Sequence, residues 1–200
     1  YKEENFYRYP RVDYKMLDKY GEGIIAASAC LGGPYAGNFW ANREEGPEAV
    51  REAMRETTRQ FVKIFGDRWH GELQWNQIPE QHELNQYIIE MHHEFGIPLI
   101  STADSHYPNP DAWKDRELYK RLGWLGKGTP AWAEDNTELP AGVEEIGYEI
   151  YPKNGNQMWD SYKYYSKTAG VEYDDQLVMD SITRTHDIAF KMIEDFTPDT

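Results

Sequence analysis

Two hundred residues, 23.4 kDa, suffice for one domain or a domain with an appendage. Asp and Glu number 35 against 21 Lys and Arg, and the formal charge of −14 repels phosphate backbones, which excludes a basic module that coats duplex DNA. Seven Trp, fifteen Tyr and seven Phe argue against disorder, no apolar run approaches the ~18 residues of a membrane span, and the single cysteine, Cys30, excludes an internal disulfide framework and fits a reducing, cytoplasmic setting.

Residues 1–20 are aromatic and charged, with Tyr9-Pro10 marking an extended start. Gly23-Ile24-Ile25-Ala26-Ala27-Ser28-Ala29 reads as a buried strand over 24–29, stopped by Gly32-Gly33-Pro34. Gly46-Pro47 opens a helix that runs to Phe65, with Val50, Met54, Phe61 and Ile64 or Phe65 on one face. Trp69 to Trp75 alternates: Trp69, Leu73 and Trp75 share one side, and His70, Glu72 and Gln74 form a polar face. A second helix over 80–95 carries Leu84, Ile88, Met91 and Phe95, with Gly96 at C′, and a strand over 97–102 follows at once. Strand, helix, strand, helix, strand is the pattern of right-handed βαβ units with parallel strands, so the fold class is α/β. Beyond Pro108, residues 111–125, 155–168 and 174–196 read as helices, 126–147 as a loop-bearing join and Glu149-Ile150-Tyr151 as a short strand. The last helix places Val178, Ile182, Thr185, Ala189, Met192 and Phe196 on one face.

Thr102-Ala103-Asp104-Ser105-His106-Tyr107 follows the third strand directly. Asp104 and His106, two apart at a strand's carboxyl end, read either as ligands for zinc, manganese or iron or as a helix-capping Asp beside an exposed His. Cys30, just past the first strand, is either a third donor or a small buried hydrophobe. Glu72 is either a candidate ligand on its strand's polar face or a solvated carboxylate. His92-His93 point in different directions on a helix and read as surface residues, while His82 and His186 lack a partner pattern and His70 only shares a strand face with Glu72. No phosphate loop, dinucleotide fingerprint or serine-hydrolase elbow is present.

Ile24-Ile25-Ala26-Ala27-Ser28-Ala29-Cys30-Leu31-Gly32-Gly33, Gly71-Glu72-Leu73-Gln74, Ile78-Pro79-Glu80-Gln81 and Ile97 to Tyr107 resemble, in this order, the polymerase-and-histidinol-phosphatase (PHP) domain at the amino end of bacterial and phage replicative DNA polymerase III alpha subunits. Phe6-Tyr7-Arg8-Tyr9-Pro10-Arg11-Val12-Asp13 resembles the segment before the family's cysteine motif, and Tyr148 to Lys153 and 178–196 resemble the stretch leading to the polymerase core. The resemblance implies that 1–110 is the later part of a (β/α)7 barrel with parallel strands, and that 111–200 is a mainly helical extension. It implies divalent-metal ligands at Cys30, Asp104 and His106, with Glu72 a ligand or a partner of one, and phosphoesterase or 3′–5′ exonuclease chemistry. It also implies DNA as a partner through the parent polymerase. The family's early H-x-H is absent, as are the polymerase aspartates. The chain therefore reads as a piece that is not a polymerase by itself and that needs an upstream PHP segment and a downstream core. A non-catalytic module that buttresses the polymerase and a stand-alone metal-dependent phosphoesterase are the alternatives.

Overall fold

The computed structural model describes residues 6–7, 9–124 and 149–192. Among them are seven α-helices and a three-stranded parallel sheet. The chain divides into two units: Tyr1–Glu72 with Gln86–Leu99, and Leu73–Asn85 with Ile100–Thr200.

The start of the first unit is a two-residue hairpin, β1 (Phe6–Tyr7) and β2 (Tyr9–Pro10), antiparallel with Phe6 opposite Pro10. Helix α1 (Tyr14–Tyr20), which the sequence pattern does not announce, is capped by the Asp13 carboxylate, an acceptor for the Met16 amide at 2.8 Å. Strand β3 is only Ala26–Ala27, shorter than the expected 24–29. It pairs in parallel with β4 (Trp69–Gln74), Ala26 opposite Trp69 and Ala27 opposite His70. Pro34 was expected only to stop the strand, yet it occupies the first turn of α2 (Pro34–Asn42), where a missing amide costs nothing; Tyr35, Ala36 and Phe39 are buried.

Helix α3 (Pro47–Phe65) has the expected bounds because both ends carry strong signals. Gly46 at φ 104° precedes Pro47, and Gly66 at φ 60° returns its amide to Val62 O. Its buried residues are Val50, Met54, Thr57, Thr58 and Phe65. Trp69 is the centre of this core: its ring stacks on Phe61 at 4.1 Å and 6°, with Phe65 and Tyr35 close by. A directed chain of hydrogen bonds runs from Trp69 Nε1 to Tyr35 Oη (3.0 Å), from that hydroxyl to Thr58 Oγ1 (2.7 Å), and from Thr58 to Met54 O (2.7 Å). Burial raises the Tyr35 phenol above its ordinary pKa, so it remains a neutral donor.

Helix α4 (Pro79–Phe95) and strand β5 (Leu99–Thr102) complete the βαβ pattern, and β4, α4 and β5 each contribute residues to both units. Sheet order is β3-β4-β5, with Gly71 N–H bonded to Pro98 O at 2.9 Å. Gly71 is required by close packing: a Cβ there would stand 2.7 Å from Ile88 Cγ2 and 2.8 Å from Leu99 Cδ2. Outside, Arg51 grips Glu90 at 2.7 and 3.1 Å and Arg55 grips Glu94 at 2.9 and 3.1 Å; exposed pairs of this kind contribute little individually.

The polar face expected on β4 is polar but not solvated, since His70 and Gln74 are buried along with Trp69, Leu73 and Trp75. Parallel strands are covered on both sides, and on the second face His70 Nδ1 lies 3.1 Å from Arg68 O. In the second unit Asn85 Nδ2 donates to Gln74 O at 2.9 Å.

The second unit also contains α5 (Trp113–Trp124), α6 (Gly155–Ala169) and α7 (Asp175–Asp187). Helix α6 opens with a capping box, Asn154 and Gln157 exchanging side chain for backbone at 3.0 Å in both directions. Trp75 lies 4.8 Å from the Tyr162 ring and 5.0 Å from the Tyr173 ring. Its Nε1 donates to Ser101 Oγ (3.0 Å), Ser101 donates to Ser181 (2.7 Å), and Ser181 donates to Val178 O (2.7 Å). This anchors α7 to the end of β5.

The expected final helix over 174–196 is shorter than anticipated. A wider-wound turn over Ile188–Met192 follows α7, and although Val178 and Ile182 are buried, Thr185, Ala189 and Met192 are exposed. Once the helix widens, the 3.6-residue period no longer brings 189 and 192 onto the buried stripe. Glu149-Ile150-Tyr151 is not a strand but a turn and bend, held by His106 N–H to Ile150 O (2.8 Å) and Ile150 N–H to Tyr107 Oη (3.3 Å). The expected join over 126–147 and Phe196 lie outside the described residues.

Candidate functional site

Cys30 follows β3 in a tight turn. Where the β3–β4 ladder ends, Ser28 N–H still reaches His70 O at 3.0 Å. The next ladder bonds are replaced by side chains: Glu72 N–H donates to Ser28 Oγ at 2.9 Å, and Ala29 N–H donates to Glu72 Oε2 at 3.1 Å. Ala29 sits at φ 59°, a left-handed conformation that costs a residue with a Cβ about 1–2 kcal/mol. Gly33 N–H closes the turn on Cys30 O at 2.8 Å, and Trp40 Nε1 donates to Leu31 O at 3.1 Å. Cys30 is half-buried with a free thiol.

Asp104 and His106 follow β5 in the second unit. Among the described residues, Asp104 is the other one with a Cβ at positive φ, 47°. His106 Nδ1 lies 2.5 Å from Asp104 O and 3.9 Å from Asp104 Oδ1. With Nδ1–H donated to the carbonyl, the neutral ring presents its lone pair at Nε2, the arrangement that orients a metal-ligating histidine. Both side chains are partly exposed. Tyr107 behind them is buried, and burial pushes its phenol up to about 12.

Each unit thus brings together one pair of the expected residues: the Cys30 turn with Glu72, and Asp104 with His106. Their donor chemistry suits zinc, manganese or iron, but the number does not make a shell: among the described residues no three His, Cys, Asp or Glu side chains are grouped to hold an ion. Sequence reasoning missed Ser28, whose hydroxyl continues the ladder, and Lys153. The Lys153 side chain is only 2% exposed, and its ammonium meets Glu149 Oε2 at 3.2 Å and the Tyr151 ring at 4.4 Å. Burial lowers its pKa, which Glu149 partly restores. Thr102, Ser105, Lys153, Asn154, Met158 and Ile182 line a cavity of about 270 Å³ beside the Asp104 loop. A buried lysine directly after a proline leaves no periodic signal by which to find it.

His92 and His93 read as surface residues; His93 is exposed, while His92 is half-buried with Nδ1 2.7 Å from Ile97 O, beyond the end of its helix. His82, without an evident partner in sequence, is 1% exposed and doubly bonded: Nε2–H donates to Asn76 O and Nδ1 accepts from Tyr173 Oη, both at 2.8 Å. Burial lowers its pKa from the ordinary 6.5, outweighing the Asn76 carbonyl. Stability from neutral His82 is therefore complete above about pH 6.5 and is lost as pH falls through the lower folded-state value. Urea unfolding at pH 7.5 and 5.0 should show a drop that His82→Gln removes; an unchanged drop in the variant would place the titration elsewhere.

No protein-family model matches the chain. It is similar to the DNA polymerase III subunit alpha of Aquifex aeolicus, 44% identical over 109 residues that cover 54% of this chain and 9% of that protein. The subunit from Borreliella burgdorferi is 40% identical over 159 residues, covering 80% of this chain and 12% of the relative. That from Chlamydia trachomatis is 26% identical over 180 residues, covering 82% and 14%. Among the described residues no helix is long and apolar enough to cross a membrane. The chain is homologous to a segment of the DNA polymerase III alpha subunits and spans about a tenth of the length of these relatives.

Proposed function

We propose that this chain serves in DNA replication as part of a polymerase III alpha subunit. Residues 1–110 form the later part of its PHP-type barrel, and 111–200 a mainly helical extension toward the polymerase core. The observation that carries this reading is 40–44% identity to alpha subunits over stretches of 109 and 159 residues. Parallel strands whose following loops carry Cys30 and Asp104-His106 support it, because sites of α/β enzymes lie past the carboxyl ends of their strands. DNA reaches the chain through the parent polymerase. Cys30, Asp104 and His106 contribute donors for a divalent cation (zinc, manganese or iron) in the parent subunit. A second reading, a non-catalytic module that buttresses the polymerase, is favoured by Glu72, whose carboxylate serves the Ala29 turn.

Manganese titration and release of nucleotides from a single-stranded 3′ end test the proposal. The chain alone is expected to add no nucleotides and to hydrolyse feebly. Supplying the family's H-x-H-bearing segment in trans should raise manganese affinity, because donors and fold are completed together. Asp104→Ala should then lower affinity by at least the ~10–100-fold that loss of a ligand's supporting partner costs. Strong hydrolysis by these residues alone, abolished by Asp104→Ala, would instead make the chain a stand-alone phosphoesterase. No metal under any condition would leave the non-catalytic module.

A further inference from the structure

We infer that Glu72 is a positioning residue for the Cys30 thiol, holding through a hydrogen bond the turn that presents it. The inference takes its functional meaning from the proposed donor role of Cys30, but the geometry is independent of any metal. Residues 28 and 72 are joined reciprocally: Glu72 N–H to Ser28 Oγ at 2.9 Å, and Ala29 N–H to Glu72 Oε2 at 3.1 Å. Ser28 is 1% exposed, so its hydroxyl is a fixed point of the first unit. Ala29, adjoining Cys30, is left-handed at φ 59°. A strained conformation persists only where its surroundings over-determine it, and the Glu72 carboxylate is the side chain that binds the strained residue's own amide. Gly33 closes the other side of the turn on Cys30 O at 2.8 Å. Cys30 is therefore clamped at both flanks, one of them through Glu72. Accepting one amide proton requires an oxygen but no charge, which separates positioning from metal ligation or electrostatic activation.

Cys30 is the sole cysteine of the chain, so its alkylation by iodoacetamide reads the turn directly. In the full chain, Glu72→Ala should raise the rate at least about tenfold, the lower end of the equilibrium value of a net hydrogen bond to a charged group. Glu72→Gln, whose amide oxygen can still accept from Ala29, should keep the wild-type rate and an unshifted pH–rate profile. Far-UV circular dichroism checks folding. Should Glu72→Ala fail to fold, Ser28→Ala removes the reciprocal bond and should also accelerate alkylation. An unchanged rate in the folded alanine variant, or a Gln variant that behaves like Ala or shifts the profile, overturns the inference. Protection of Cys30 by zinc in the presence of the H-x-H-bearing segment tests the donor role separately: absence of protection there overturns that role while the Glu72 comparison stands.

Discussion

Trp69→Ala is expected to cost about 3–5 kcal/mol, the range for truncating a fully buried large aromatic. Trp69 is 1% exposed and stacks on Phe61 at 4.1 Å, and its loss removes the side chain on which the first unit's aromatic core converges. It also removes the donor to Tyr35 Oη, leaving the head of the Tyr35–Thr58–Met54 chain without its partner in a buried setting. Trp69→Phe separates the two contributions, because it keeps a stacked ring and loses only the indole donor and some volume. It should cost clearly less than the alanine. Urea midpoints and m-values measure both. A loss below about 1 kcal/mol for Trp69→Ala, the level of an ordinary surface change, would mean that Trp69 is not the core of this unit.

Gly33→Ala should be the most damaging of the glycine substitutions near the site. Its dihedrals, φ −79° and ψ −179°, suit any residue, so the requirement is space alone. A Cβ at 33 would fall 2.0 Å from Ser28 O and 3.1 Å from both Ala29 Cβ and Cys30 O. Those obstacles are mostly backbone and cannot rotate away, so the turn itself must open. Overpacking usually costs about 1–3 kcal/mol, and a backbone clash of this depth should reach or exceed the upper end. It should also loosen the Cys30 turn and speed its alkylation. Gly37, four residues on within α2, is the control, because a Cβ there meets nothing within 4 Å. Gly37→Ala should stabilise by about 0.5–1 kcal/mol through the helix preference of alanine. Equal midpoints for the two variants would contradict the account of the turn.

How much of this was legible in the sequence depends on the range of each interaction. Helix α3 was readable to the residue because its signals are local: Gly46-Pro47 at one end, Gly66 at the other and an apolar stripe between them. The parallel βαβ order followed from alternating strand and helix patterns with short links. Cys30, Asp104 and His106 were locatable because each lies just past such a strand.

Tertiary structure decided the rest. Helix α2 was hidden because Gly32-Gly33-Pro34 is as good a strand stop as a helix start, and only burial of Tyr35, Ala36 and Phe39 selects the helix. His70 and Gln74 look like a solvated strand face until a second layer covers them. Strand β3 stops at Ala27, and Ser28 and Glu72 take over its ladder across 44 residues of sequence, a separation no local pattern encodes. Local propensity and periodicity therefore determined the βαβ order, helix α3 and where the candidate donors lie. What Glu72 does, and whether a polar residue is solvated or enclosed, was settled only when distant segments met, because hydrogen-bond partners and burial are properties of neighbours in space.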